Sequence, residues 1–269
     1  MHTLHLGYDE QERRSSPYAR FFNPHLAPLP GHVLEALSKG IVARELLPPV
    51  EQAASLQDEG YHRVETGYTL TADGAARIAC LTHMPGVTPA MWDWWFGWHG
   101  SEAQRYKLWH PLAHVDVGWT DGRSDLSHYV GRTSNIVEYI GAKRLRVLLT
   151  FMPPSILGFD EARLQARGEL VICGRGRIAG LPMEVAWLVH HIRPVAGGAE
   201  MRSRFWLGGN NVNPVGMRGQ LGRMLGVIAA QSQRQGSQQA EAMLIHDAQE
   251  MNHLAAFLPA LYASFAQDA

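Results

Sequence analysis

The chain has 269 residues, 46% hydrophobic and 18% charged, which suits a globular protein with one sizeable core. Its 24 basic and 25 acidic side chains leave a formal charge of -1, so it lacks the basic excess that neutralising nucleic-acid phosphates requires. No apolar run approaches the roughly 18 residues of a membrane span, and the start MHTLHLGYDEQERRSS lacks a signal peptide's apolar stretch, so a cytoplasmic protein with no membrane and no nucleic-acid partner is expected.

Residues 1–60 are rich in proline and carry short helical patterns, VLEALSKGI around Val33 and the segment from Val50 to Glu59. They read as a helical N-terminal arm, and residues 61–269 as the main domain. Past Gly60, in TGYTLTADGAARIACLTHM, two β-prone runs flank an Ala-Asp-Gly turn at Asp73 and Gly74, as a hairpin requires. Met91 to Trp109 then packs five tryptophans and Tyr106 into one helical stretch, more than a solvated helix carries, so it should line the core or a pocket. Five further β-like runs follow, Tyr129 to Ile140, Arg144 to Phe151, Glu169 to Ala179, Met183 to Ile192 and Met201 to Leu207. Their short connections favour an antiparallel sheet. From about Met217 the pattern turns helical, with a break at Gly236, and Leu244, Met251, Leu254, Leu258, Leu261, Tyr262 and Phe265 recur at helical spacing. This order predicts an α+β helix-grip fold, a curved antiparallel sheet enclosing a cavity with one long C-terminal helix.

Cys80 and Cys173 are the only cysteines and neither has a neighbour, so a metal would need nitrogen and oxygen ligands. On the last helix His246 and Glu250 stand four residues apart and project from one face, close enough to share an ion. The alternative is a solvent-facing polar pair, and His253 on the same stripe competes as a ligand. In RYKLWHPLAHVDV, His110, His114 and Asp116 offer further ligands, of which one or two can fit; Asp116 would share a strand face with His114 by the two-residue period. Glu138 in NIVEYIG is an acid in an apolar run, where a cation would offset its burial, or else an outward-facing strand residue. Of His190 and His191, at most one can point into the cavity.

The runs MWDWWFGWHGSEAQRYKLWHPLAH, YVGRTSNIVEYIG, SRFWLGG and HDAQEMNHLAAFLPALYA resemble segments of the 2,4-diacetylphloroglucinol hydrolases, whose relatives include phloretin hydrolase. The likeness runs from about Gly67 to Ala263. It implies a Bet v 1-like helix-grip domain, a helical N-terminal part, a homodimer, and a catalytic zinc held by His114, Glu138, His246 and Glu250. It further implies that Tyr106 hydrogen-bonds the substrate and steadies an oxyanion, that His190 moves a proton, and that Trp94, Trp95 and Trp98 hold the flat ring of a small aromatic ketone. Phe205 stands where the family offers a second tyrosine, so one hydroxyl contact to substrate is absent. The reaction implied is hydrolysis of the carbon–carbon bond between an acyl group and a phloroglucinol-type ring. Two other readings stay open, a carrier of an apolar aromatic ligand without chemistry, and a metal enzyme acting on another β-diketone-like substrate.

Overall fold

The computed structural model describes residues 4–124, 128–215 and 234–268. Strands β1 (Gly67–Leu70), β2 (Ala76–Pro85), β3 (His114–Trp119), β4 (Thr133–Ile140), β5 (Lys143–Met152), β6 (Leu170–Ile178), β7 (Met183–Val195) and β8 (Gly198–Leu207) form one antiparallel sheet in the order β1-β2-β8-β7-β6-β5-β4-β3. A short β9 (Asn213–Pro214) pairs with β7. Tight turns make this order possible. The β1–β2 hairpin closes at Asp73 and Gly74 as expected, and β4 returns as β5 through Gly141 and Ala142, with Ile140 opposite Lys143 and Gly141 at φ 59°, where a side chain would be strained.

The helices are α1 (Glu10–Ser15), α2 (Gly31–Lys39), α3 (Pro89–Trp98), α4 (Ala103–Trp109), α5 (Glu161–Arg167), α6 (Ser237–Ala255) and α7 (Leu258–Phe265). Helix α6 packs on β1 and β2 at one end of the strand order and on β4 near the other, so the sheet wraps around it in the expected helix-grip manner. Its Ala240, Leu244 and Ala248 join a core with Tyr68, Ile78 and Phe205, while Met251 and Leu254 join a second with Trp92, Trp95 and Ile192. Burial of each large side chain contributes about 1.5–3 kcal/mol, so these two clusters anchor the helix along its length. No described helix is long and apolar enough to cross a membrane.

Several expectations need correcting. The single C-terminal helix to Phe265 is two, because Pro259 cannot donate to a carbonyl one turn back and the chain restarts after Phe257. The aromatic stretch is likewise α3 and α4, separated by a 3-10 turn at His99–Ser101, and Val50–Gln57 is 3-10 rather than α. The strand expected from Tyr129 begins at Thr133, since Arg132 N donates to Tyr129 O in a turn. Helix α5 went unpredicted despite clear signals: Asp160 caps it by accepting from Arg163 N, and Gly168 ends it in the left-handed region at φ 64°. The helical pattern from Met217 falls largely on residues 216–233, outside the described residues.

The N-terminal segment is fastened at several points. Tyr8 and Tyr18 are buried with Trp98, Val33 is buried against the sheet–α6 core, and Glu12 pairs with the buried Lys107 at 2.8 Å. Residues 50–57 cover the opposite face of the sheet, with Ala53 and Leu56 against Val171, Val189 and Trp206.

Candidate metal centre

His246 and Glu250 face inward one turn apart on α6, and the sheet supplies two more groups opposite them. His114 opens β3 and pairs directly with Glu138 of β4, so both project from the same face. The next register pair is Asp116 with Val137, a β-bulge that puts one extra residue into β3. The bulge overturns the expectation for Asp116: period two holds only in an unbroken strand, and here it places Asp116 on the face opposite His114.

The donor atoms of the four residues alternate around a small ring. His114 Nε2 lies 3.2 Å from Glu250 Oε2 and 3.7 Å from Glu138 Oε2; His246 Nε2 lies 3.5 Å from Glu250 Oε2 and 3.6 Å from Glu138 Oε2. A tetrahedral ion with bonds of about 2.0–2.1 Å needs donors about 3.3–3.4 Å apart, and the four histidine–glutamate separations lie near that spacing. The set whose donor atoms all lie within 4.8 Å of one another is His114, Glu138 and His246; Glu250 adjoins it through the two histidines.

Electrostatics argue the same way. Burial lowers the pKa of His114 and His246 and raises those of Glu138 and Glu250, so without a counter-charge each group is pushed toward its neutral form. A divalent cation reverses this for the carboxylates and needs the imidazoles neutral. His114 Nδ1 donates to Tyr106 O at 3.0 Å, which leaves the lone pair on Nε2, and that buried atom has no hydrogen-bond partner. Two neutral imidazoles and two carboxylates form a nitrogen–oxygen set that fits zinc.

Around the four, Tyr106 stacks on His114 with ring centroids 3.7 Å apart, and its hydroxyl donates to Glu138 Oε2 at 2.7 Å. His110 stays outside the ring, stacked on His246 at 5.0 Å with its Nε2 3.3 Å from Gln249 Oε1. His253 packs edge-on against Phe257 instead. His190 and His191 diverge as neighbouring strand residues must: His191 pairs with Glu169, while the inward His190 has Ser203 Oγ at 2.9 Å and Asp247 Oδ1 at 4.0 Å from its Nδ1, and no polar contact with the four. Asp247 escaped the sequence reading. It is fully buried between the two helix donors in sequence, with Ser203, Cys80 and His190 around its carboxylate, and burial raises its pKa to about 8.

A cavity of about 510 Å³ lies between α6 and the strands, and among the described residues Glu138 is the only carboxylate in its wall. Ile136, Leu149, Leu188, Phe205 and Met243 make much of the rest. Trp94, Trp95 and Trp98 do not line it, contrary to expectation. Trp94 stacks on Trp98 at 4.7 Å and meets Tyr262 edge-on, Trp98 stacks on Phe265, and Trp95 stacks on His99. Their helix is apolar on most of its surface, so the fold covers it with α7 and the N-terminal segment instead of leaving a face for a ligand.

Comparison with known proteins adds the following. The family model described as the DAPG hydrolase PhiG domain matches residues 46–263. A 2,4-diacetylphloroglucinol hydrolase from a Pseudomonas species is 30% identical, over 94% of this chain and 89% of its own. A phloretin hydrolase from Eubacterium ramulus is 30% identical, over 96% of this chain and 93% of its own. Among solved structures, Ara h 8.0201 is 13% identical and overlaps 68% of this chain and 99% of its own at a TM-score of 0.35.

Proposed function

The chain belongs to the DAPG hydrolase PhiG domain family, and from that premise we propose that it hydrolyses the carbon–carbon bond between an acyl group and a phloroglucinol-type ring, with zinc held by His114, Glu138, His246 and Glu250. The observation that carries this reading is the ring of four donor atoms 3.2–3.7 Å apart beside an apolar cavity. When bound, zinc supplies Lewis acidity, polarising a carbonyl or acidifying water toward a pKa of about 7.

The chain's own residues do the rest. Phe205, Leu188 and Met243 give the aromatic ketone an apolar wall, and Glu138 brings the centre to the edge of that cavity. Tyr106 holds the Glu138 carboxylate through its single O–H; in our reading that donor turns to the acyl oxygen, to steady its negative charge, once the carboxylate is engaged by the ion. Burial pushes the His190 pKa down to about 3, so its imidazole is neutral at neutral pH, with one donor and one acceptor nitrogen. In the overall reaction the hydroxyl of water joins the acyl carbon to give a carboxylic acid, and a proton replaces the acyl group on the ring; His190 is the group we assign to carry that proton. All four donors and the whole described cavity wall come from residues 61–269, which we assign as the catalytic part, with residues 1–60 bracing it.

The test is to incubate acylated phloroglucinols with the zinc-loaded and the chelator-stripped protein and identify the products. Release of the deacylated phenol and the free acid by the loaded form alone is expected. Full activity without metal would remove the zinc, and tight ligand binding with no turnover in either form would make the chain a carrier.

A further inference from the structure

The centre borders two cavities that differ in the charges they carry. Glu138 belongs to the wall of the apolar cavity, while His246 belongs to the wall of a second hollow of about 350 Å³ between the start of β3, the β4–β5 turn and α6. Gly141 and Ala242 border both, and a side chain on Gly141 would meet Ala242 Cβ at 3.3 Å, so this contact between turn and helix forms the partition. Each rim reaches the surface, at Lys143 for the apolar cavity and at Leu112, 55% exposed, for the other.

Their charges differ in sign. The apolar cavity carries Lys143 and Arg177 in its wall; among the described residues the second hollow has no lysine or arginine there, but Glu241 together with Gln249 and His110. His110 is buried with an Nδ1 that has no hydrogen-bond partner, and it stacks on His246. A dication is repelled by the first rim and attracted by the second, whereas a phenolate experiences the reverse.

We infer that the two cavities are separate approaches to one centre: a hydrated divalent cation reaches the four donors through the second hollow, past Glu241, Gln249 and His110, while the acylphenol comes through the larger cavity. The inference rests on the zinc reading above. On this account Glu241 and His110 handle the ion in transit without holding it at the end.

The test follows zinc uptake by the chelator-stripped protein in stopped flow with a fluorescent zinc dye, and separately acylphenol binding to the same protein by tryptophan fluorescence. Glu241→Arg should slow uptake about tenfold at low salt, with the effect shrinking as salt screens it, and should leave acylphenol affinity within twofold. Leu112→Trp, at an exposed rim position, should slow uptake at all salt concentrations. Leu207→Trp, in the apolar wall, should weaken acylphenol binding at least tenfold and leave zinc uptake unchanged. Unaltered uptake in both hollow variants, or slowed uptake in Leu207→Trp, overturns the two-approach inference while leaving the zinc reading intact. A wild-type chain that takes up no zinc overturns both.

Discussion

Helices α3 and α6 are both heavily buried, yet they serve different ends. Helix α3 buries Trp92, Trp95, Phe96 and Trp98, and rings of this helix pack in stacked and edge-on pairs against Tyr18, Trp109 and Phe265, with the half-buried Trp94 edge-on to Tyr262. Helix α6 buries His246, Asp247, Glu250 and His253 among small and aliphatic residues. A buried ring stabilises wherever it finds apolar neighbours, whereas a buried carboxylate or imidazole is costly until something neutralises it. Density of aromatic residues therefore marks packing, and the unpaired polar stripe marks chemistry.

The largest effect that could break this contrast is on α6. His246→Ala should lower hydrolysis about 10³-fold or more, since losing a ligand costs more than the ~10–100-fold of losing a group behind one. Bound zinc should fall in parallel while the chelator-stripped melting temperature changes little; normal turnover in steady-state assays would contradict the assignment. On α3 the pattern should invert. Trp95→Ala should cost about 3–5 kcal/mol in denaturant unfolding, with normal zinc per folded chain, and a stable variant that has lost zinc would put α3 into the site after all.

Tyr106→Phe sharpens the boundary, because this residue belongs to the aromatic stretch and yet touches the centre. Loss of its hydrogen bond to Glu138 should weaken zinc affinity about 10–100-fold, measured by competition with a chelating dye; unchanged affinity would make it a packing residue like its neighbours. A separate effect is expected with pH. Burial lowers His99, stacked on Trp95, from its ordinary 6.5 to about 4. A neutral histidine in the fold and a protonatable one in the unfolded chain mean that its contribution is complete above pH 6.5 and is lost as pH falls toward 4. His99→Phe should flatten that acid limb by about 3 kcal/mol, and an unchanged slope would show that His99 is already charged in the folded protein.

The same contrast explains what could be read in the sequence. The hairpin at Asp73 and Gly74, most of the strands and the projection of His246 and Glu250 from one helix face follow from local spacing and turn chemistry; that this face is buried does not follow from spacing. The bulge that turns Asp116 away depends on the pairing of β3 with β4, and nothing in HVDV announces it. The cover that α7 and the N-terminal segment lay over Trp94 and Trp98 is tertiary, so five tryptophans in one run could not be sorted between wall and core. Asp247 was legible in principle, as an acid between two candidate ligands on a helix otherwise apolar on that face, but only the folded structure shows it fully buried.

The central claim is that four side chains from β3, β4 and α6 share one ion. Anomalous diffraction at the zinc edge from crystals of the zinc-loaded protein tests it most directly. The account predicts a single strong peak about 2.0–2.2 Å from Nε2 of His114 and His246 and from a carboxylate oxygen each of Glu138 and Glu250; a peak bound elsewhere, or none in this chamber, would contradict it.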